Sequence, residues 1–225
     1  MTPPLGAWGL TGSPVPLPGG HRNTVLRVGN HVLKTTRRSE AAIAWLLPVA
    51  KHALESGLNV PVPMRSHDGS FVVEGWTCEP FCPGRPTSPV HIADRMTRFH
   101  VSASNLPQRD GFASAHDLLT CTKGGDVDLD AMLEDLVTRL RAAWVSVGRD
   151  STIVHGDLNA ANILTAADGT VTLVDWDEAR RDAPVFDTAA WSDAPSPAAT
   201  LAWEVACSWQ IEPSHARRVA QLFTD

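Results

Sequence analysis

The chain of 225 residues contains no tyrosine, and only 6% of its residues are aromatic. Its four cysteines, Cys78, Cys82, Cys121 and Cys207, do not form two ligand pairs at metal-site spacing, so we expect reduced thiols that pack in the interior. No apolar run is long enough to cross a bilayer, and the N-terminus lacks a basic region followed by an apolar signal core. These absences predict a cytoplasmic protein with no membrane partner.

The residues that can carry chemistry are concentrated in one segment. His155, Asp157 and Asn162 follow the spacing His-x-Asp-x4-Asn, and Asp175 comes later in the chain, directly after an apolar run. This order is typical of phosphoryl transfer on a kinase-like fold. The first Asp can accept the proton of a substrate hydroxyl. The Asn and the second Asp offer hard oxygen ligands for Mg²⁺, which neutralises charge on the transferred phosphate.

The flanking segments predict a hairpin that carries two of these side chains. Residues 163–165 leave the loop, residues 166–169 form a turn, and residues 170–174 form a second strand that delivers Asp175. The hairpin presents Asn162 and Asp175 from one end. The alternative is a surface hairpin with an N-capping Asp and turn-forming Asn residues, which explains no particular spacing among the polar residues.

A glycine turn and a strand lysine near the N-terminus predict a second part of the site. Gly19 and Gly20 lie in a turn that precedes a strand over residues 24–28. A Gly29-Asn30 turn then leads to a strand that ends at Lys34. A loop that covers a nucleotide, followed by a lysine that contacts its phosphates, requires this order of elements. A plain hairpin is the alternative.

These motifs resemble the aminoglycoside phosphotransferase and choline kinase family, whose members are relatives of the protein kinases. The family's catalytic loop is similar to residues 155–164, its metal loop to residues 174–178, and its Asp-Leu-Ala-like segment to residues 186–190. The resemblance implies an α+β, protein-kinase-like bilobal fold. An N-terminal lobe with an antiparallel sheet and one helix would span residues 1–82, a mainly helical C-terminal lobe would span 83–225, and the active site would lie in the cleft between them.

The resemblance also implies roles for the residues of the second lobe. Asp157 would position and deprotonate the acceptor hydroxyl as the catalytic residue, and Asn162 and Asp175 would bind Mg²⁺. His155 and Asp187 would brace the catalytic loop. Electrostatic positioning would then supply most of the catalysis, because little covalent chemistry falls to the protein.

In the first lobe, the resemblance assigns Gly19, Gly20, Lys34 and Glu40 to the binding of ATP. Ser39 can cap a helix over residues 40–56, and Glu40 is the only carboxylate in its first turns. On this basis Glu40 would pair with Lys34 and orient it towards the α- and β-phosphates. Alternatively, Glu40 simply favours the N-terminus of the helix through the helix dipole.

The expected cofactors are therefore ATP and Mg²⁺, and the expected acceptor is a hydroxylated small molecule such as an aminoglycoside-like antibiotic, a sugar or an amino alcohol. Residues 1–85 hold 8 basic and 5 acidic side chains and residues 86–225 hold 11 and 20, so net charges of +3 and −9 make up the total of −6. An acidic second lobe suits Mg²⁺ and a cationic or neutral substrate, although solvated acid on helix surfaces explains most of these carboxylates equally well. The sequence has no basic stripe with interleaved aromatic residues, so we expect no nucleic-acid partner.

Three points stay open at this level. Trp191, Trp203 and Trp209 lie where relatives build the acceptor pocket, and their rings either stack on a substrate ring or pack in the core. A nucleotide-binding pseudokinase that acts as a regulatory or scaffold partner is the main alternative function, although each catalytic position holds a competent residue. A protein kinase is a third hypothesis, but the chain lacks an Ala-Pro-Glu segment and has only a short stretch after Asp175.

Overall fold

The computed structural model describes residues 2–17, 22–148, 151–192 and 197–222. The chain divides into two compact units, Met1–Arg85 with Leu164–Val174, and Pro86–Ile163 with Asp175–Asp225. The sequence placed a single boundary after residue 82. In the structure the first unit includes the chain up to Arg85, and it also includes the later segment Leu164–Val174.

Short strands and helices alternate along the described residues. The strands are β1 (Val15–Pro16), β2 (Val25–Val28), β3 (His31–Thr35), β4 (Trp76–Pro80), β5 (Arg85–Pro86), β6 (Lys123–Gly124), β7 (Val127–Asp128), β8 (Thr152–Val154), β9 (Ile163–Thr165), β10 (Val171–Leu173) and β11 (Arg180–Asp182). The α-helices are α1 (Glu40–Ala44), α2 (Leu46–Glu55), α3 (Ala93–Ser102), α4 (Glu134–Val145), α5 (Val185–Thr188), α6 (Ala198–Ser208) and α7 (Pro213–Leu222). None of the described helices is long and apolar enough to cross a membrane.

An antiparallel sheet in the order β1-β2-β3-β4 forms the frame of the first unit. Gly29 has a φ of +57°, which glycine adopts without steric cost, so it closes the predicted hairpin of β2 and β3. Lys34 is paired with Val25 on one side and Thr77 on the other. The lysine strand therefore lies in the interior of the sheet, where both of its edges are hydrogen-bonded.

The helix predicted after Ser39 forms in two segments, α1 and α2. The hydroxyl of Ser39 accepts the N–H of Ala42 at 3.1 Å, as expected of an N-cap. The break at Trp45 follows from Pro48, because proline has no N–H to donate to the carbonyl of Ala44 and its ring crowds that carbonyl.

The backbone of residues 71 and 72 is bonded to a side chain of helix α1. The N–H groups of Phe71 and Val72 donate to the two carboxylate oxygens of Glu40, at 2.5 and 2.9 Å. These donors are thus satisfied by a carboxylate instead of a neighbouring strand. A sequence pattern does not show where such backbone donors find their partners.

The hairpin of β9 and β10 forms as predicted, with Gly169 at a φ of +85° in its turn. The N–H of Asn59 donates to the carbonyl of Val171, and the N–H of Leu173 donates to the carbonyl of Asn59, each at 2.8 Å. These bonds attach β10 to the segment after α2, which explains why the hairpin belongs to the first unit.

The second unit is mainly helical, and its core lies where α4, α6 and α7 pack together around Leu140, Trp144, Trp203 and Val219. β8 pairs with β11 in antiparallel orientation. The side chains of Arg180 and Asp182 are buried and ion-paired at 2.8 Å. A strand that buries charged residues lacks the apolar alternation that identifies strands in a sequence, so this strand was missed.

The cysteines are free thiols, as expected. Cys78 and Cys207 are buried, whereas Cys82 and Cys121 are partly exposed. Burial, with a smaller contribution from the charge of Glu79, raises the pKa of Cys78 to about 12. Cys78 is therefore an inert packing thiol at neutral pH.

Candidate active site

The loop after β8 is anchored by one buried carboxylate. Asp187 accepts the N–H of His155 with Oδ2 and the N–H of Gly156 with Oδ1, each at 2.9 Å, and Nε2 of His100 lies 2.9 Å from Oδ2. Burial disfavours the charged form, but the hydrogen bond and charge of His100, together with His155 and the Gly156 N–H, outweigh it and hold the pKa of Asp187 below its usual range. The expectation that Asp187 braces the loop after β8 is confirmed.

Gly156 allows this loop to approach the next segment closely. Its φ is +83°, and a Cβ at this position would lie 2.7 Å from Nη1 of Arg180 and 2.8 Å from the carbonyl oxygen of Glu178. The neighbouring His155 ring is buried against Trp176, with 4.8 Å between ring centroids. Backbone approach and ring packing therefore join the catalytic loop to the segment that follows Asp175.

Asp157 has an exposed carboxylate that two amide side chains orient. Nδ2 of Asn159 donates to Oδ1 at 3.0 Å, and Nδ2 of Asn162 donates to Oδ2 at 3.0 Å and to the backbone carbonyl of Asp157 at 2.9 Å. A backbone carbonyl only accepts, so the Asn162 atom that faces it must be the NH₂ group, and the carbonyl oxygen of this side chain remains for other ligands. An exposed and oriented carboxylate is suited to accept a proton from a bound hydroxyl.

Asp175 follows β10 in a left-handed conformation, with φ 63° and ψ 60°. For a residue with a Cβ this conformation costs about 1–2 kcal/mol, and such strain concentrates at functional sites. A 3-10 turn, Trp176–Glu178, begins directly after it. The sequence identified Asp175 from its place after a strand but contained no sign of this backbone conformation.

Asn162 and Asp175 offer oxygen donors of the kind that Mg²⁺ accepts. Among the residues that the structure describes, no group of three or more His, Cys, Asp or Glu side chains is arranged to hold a metal ion. Mg²⁺ in phosphoryl-transfer sites binds one or two carboxylates together with waters and substrate phosphates. The carboxylate of Asp175 and the remaining amide oxygen of Asn162 match that requirement.

Arg109 contacts the turn after Asp175 and was missed by sequence reasoning. It is only 1% exposed, and its Nη1 donates to the carbonyls of Trp176 at 2.9 Å, Asp177 at 3.1 Å and Ala179 at 3.2 Å. Arg109 lies in the connection between α3 and β6, where no local sequence pattern identifies it.

The predicted nucleotide-binding residues belong to the first unit. Lys34 is half-buried on β3. Both carboxylate oxygens of Glu40 accept backbone N–H groups, those of residues 71 and 72. Neither of the two roles considered for Glu40 from the sequence, a pair with Lys34 or an interaction with the helix dipole, includes these bonds. The pairing of Glu40 with Lys34 stays a prediction. Gly19 and Gly20 lie outside the described residues.

The late tryptophans have different environments. Trp203 is buried and packs against Phe186 and Trp144, with centroids at 5.6 and 6.1 Å, and the Arg180 guanidinium lies 3.3 Å from its ring centroid. It therefore belongs to the core and not to an acceptor surface. Trp209 is partly exposed, and its Nε1 donates to the carbonyl of Ala131 at 3.1 Å.

Comparisons with known proteins show the family and the fold of the chain. The sequence model of the phosphotransferase enzyme family (APH) matches residues 14–204. Among curated protein sequences, none matches the chain.

Several solved structures are similar in fold. Amicoumacin kinase hAmiN, in complex with AMP-PNP, Ca²⁺ and Ami, has a TM-score of 0.61 at 15% identity, over 97% of this chain and 75% of that one. Choline kinase LicA from Streptococcus pneumoniae has a TM-score of 0.61 at 14% identity, over 95% and 94%. Spectinomycin phosphotransferase APH(9)-Ia, in complex with ADP and spectinomycin, has a TM-score of 0.58 at 8% identity, over 98% and 92%. The α+β, protein-kinase-like fold is thereby confirmed.

Proposed function

Because the chain belongs to the phosphotransferase enzyme family, we propose that it transfers the γ-phosphate of ATP to a hydroxyl group of a small molecule in a Mg²⁺-dependent reaction. One observation carries the proposal. The exposed Asp157 carboxylate is oriented by Asn159 and Asn162 on a loop whose backbone is bonded to the buried Asp187. An oriented acidic group on an anchored loop is what a phosphotransferase needs, because positioning supplies most of the rate enhancement.

In the proposed reaction, Asp157 accepts the proton of the acceptor hydroxyl while the hydroxyl oxygen forms a bond to the γ-phosphorus. The bond between that phosphorus and the β,γ-bridging oxygen breaks, and ADP leaves with the electron pair. Asn162 and Asp175 would hold Mg²⁺, which when bound supplies positive charge to the transferred phosphate. Lys34, oriented by Glu40, contacts the α- and β-phosphates as a positive charge.

We propose a cationic or neutral acceptor, such as an aminoglycoside-like antibiotic, a sugar or an amino alcohol. Residues 86–225 carry a net charge of −9, which attracts cations and disfavours anionic substrates. The similar structures include enzymes named for amicoumacin, spectinomycin and choline. An antibiotic acceptor would make the protein a resistance factor.

A screen of ATP consumption tests the proposal. The purified protein is incubated with Mg²⁺ and ATP and with a panel of aminoglycosides, macrolides, sugars, choline and ethanolamine. ADP release is followed, and phosphorylated products are identified by mass spectrometry. We expect one chemical class to be phosphorylated. A protein that binds Mg·ATP but phosphorylates nothing in the panel would favour the pseudokinase alternative.

Two variants locate the activity. Asp157→Ala should lose about 10²–10⁴-fold in turnover, as expected for a general base, and should keep its affinity for the nucleotide. Asp168→Ala removes another exposed carboxylate, one that accepts the N–H of Thr170 in the hairpin turn, and serves as the control. If Asp157→Ala retained more than about a tenth of the turnover, Asp157 would not be the base.

A further inference from the structure

The strained backbone at Asp175 needs contacts that enforce it. Within the part of the chain that the structure describes, the only other non-glycine residue with a positive φ is Glu74. A conformation that costs about 1–2 kcal/mol persists where the surrounding structure over-determines it. The turn that begins at Trp176 is the nearest place for such contacts, because its geometry sets the direction in which the chain leaves Asp175.

Three carbonyls of this turn converge on a single atom, Nη1 of Arg109. They belong to Trp176, Asp177 and Ala179, at 2.9 to 3.2 Å. The turn is closed by the N–H of Ala179, which donates to the carbonyl of Trp176 at 3.2 Å. Three carbonyls so close in sequence can face one donor only if the chain turns sharply after Asp175.

We propose that Arg109 is a positioning residue for the metal loop. Its guanidinium holds the turn after Asp175, and this turn keeps the Asp175 carboxylate in the orientation in which it binds Mg²⁺. The inference rests on the proposed function, since it assumes that Asp175 is a metal ligand. Arg109 acts through the backbone of the turn and does not contact the metal or the substrate.

Arg109 is itself held in place, as this role requires. Its guanidinium lies over the ring of Phe112 at 4.5 Å, and its own carbonyl accepts the N–H of Phe112 at 3.0 Å. Its N–H donates to Oε1 of Gln108 at 2.8 Å. A buried guanidinium also depends on these carbonyls, because burial of a charge without polar partners is costly. Lysine replaces the planar donor group with a point charge and reproduces the geometry only in part.

Arg181 provides a matched control. Arg181 is less buried than Arg109 and belongs to the same unit, and its Nη1 donates to two backbone carbonyls, those of Ser104 and Leu106. These carbonyls belong to the connection that follows α3. Arg181→Met therefore removes an arginine-to-carbonyl contact between the same two stretches of chain but leaves the three carbonyls of the turn bonded to Arg109.

The test measures the affinity for AMP-PNP by titration calorimetry, in saturating Mg²⁺ and in EDTA. The ratio of the two affinities reports how much Mg²⁺ contributes to nucleotide binding. We expect Arg109→Met to lower this ratio about tenfold or more, the effect that loss of an outer-shell partner has on metal sites. Arg109→Lys should fall between this variant and the wild type. In EDTA, we expect the affinity to change less than about twofold in either variant, because only the metal-dependent part depends on the turn.

A second measurement does not involve the metal. Hydrogen exchange of the nucleotide-free proteins is followed at the amide of Ala179, which closes the turn. We expect faster exchange in Arg109→Met than in the wild type and in Arg181→Met, because the open turn becomes more populated when its carbonyls lose a donor.

Each result bears on the proposal. An unchanged Mg²⁺ ratio in Arg109→Met would overturn it, and so would an equal loss in Mg²⁺ and EDTA, or the same loss in Arg181→Met. If Arg109→Met does not fold, an unchanged ratio in Arg109→Lys is the overturning result. A wild-type protein whose nucleotide affinity does not depend on Mg²⁺ would instead refute the proposed function, and with it the role of Asp175 on which the inference rests.

Discussion

Asp187→Asn is the substitution that most directly tests how the catalytic loop is held. The variant keeps the size of the side chain but removes its charge and replaces one acceptor oxygen with an NH₂ group. In the wild type, Oδ2 accepts from His155 and faces His100, and Oδ1 accepts from Gly156. An asparagine can accept at only one of these two positions, so at least one backbone N–H, that of His155 or of Gly156, would face another donor.

The expected cost follows from the number of bonds that are lost. A hydrogen bond to a charged group contributes about 1.5–3 kcal/mol. The carboxylate of Asp187 makes three such bonds, and the variant loses either one or two of them. The bonds that remain are made to a neutral amide and are weaker. Breaking a buried charged pair costs about 3–5 kcal/mol for the same reason, because the remaining partner is left uncompensated. We therefore expect Asp187→Asn to lower the free energy of unfolding by about 3–5 kcal/mol, a large part of the 5–15 kcal/mol typical of a folded protein.

The pH dependence gives the prediction its sign. The pKa of Asp187 is lower in the folded protein than its ordinary value of 3.8, so the folded state favours the ionised form. This contribution to stability is fully present above the unfolded pKa and is lost as the pH falls from that value through the folded pKa. The difference in stability between wild type and Asp187→Asn should therefore be constant near neutral pH and should shrink below about pH 4.

Urea unfolding, followed by tryptophan fluorescence between pH 7 and pH 3, measures both effects. Asp117→Asn is the control, because its exposed carboxylate also accepts two bonds, from the N–H and the hydroxyl of Ser114. We expect that control to lose about 1 kcal/mol or less. The reasoning is refuted if Asp187→Asn is as mild as the control, or if its deficit persists unchanged at the acidic end of the range.

Three further predictions concern the two predicted binding regions. Glu40→Gln should lower the free energy of unfolding by about 1 kcal/mol, since an amide cannot accept both backbone N–H groups. In transfer assays, the double variant Glu40→Gln with Lys34→Met should be no slower than Lys34→Met alone. Additive losses of turnover would show that Glu40 does not act through Lys34. Gly156→Ala should lower the free energy of unfolding by about 2–4 kcal/mol, measured by thermal unfolding. The positive φ is strained for a residue with a Cβ, and this Cβ would lie 2.7 Å from the buried Arg180 guanidinium. An unshifted Tm would show that the loop has another conformation. Asp175→Asn should weaken Mg²⁺-dependent nucleotide binding more than Asn162→Ala does, because a carboxylate supplies a full charge, and equal Mg²⁺ affinities in titrations would remove Asp175 from the metal site.

Features that depend on neighbours in the chain were determined by the sequence itself. The hairpin at Gly29, the cap at Ser39 and the hairpin at Gly169 each rest on one residue whose conformation or side chain has few alternatives. The spacing of Asp157 and Asn162 is also local, and it places the amide of one on the carboxylate of the other. Such contacts span a few residues, so the chain has little freedom to arrange them differently.

Only the tertiary structure decided which distant groups satisfy the buried polar atoms. Glu40 accepts the backbone N–H groups of residues 71 and 72, Arg109 donates to the turn after Asp175, and Asp182 accepts the N–H of Ala115. No periodicity or spacing encodes these partners, because each pairing forms between segments that only folding brings together. A buried donor or acceptor must be paired, and which group pairs with it is a property of the packed protein.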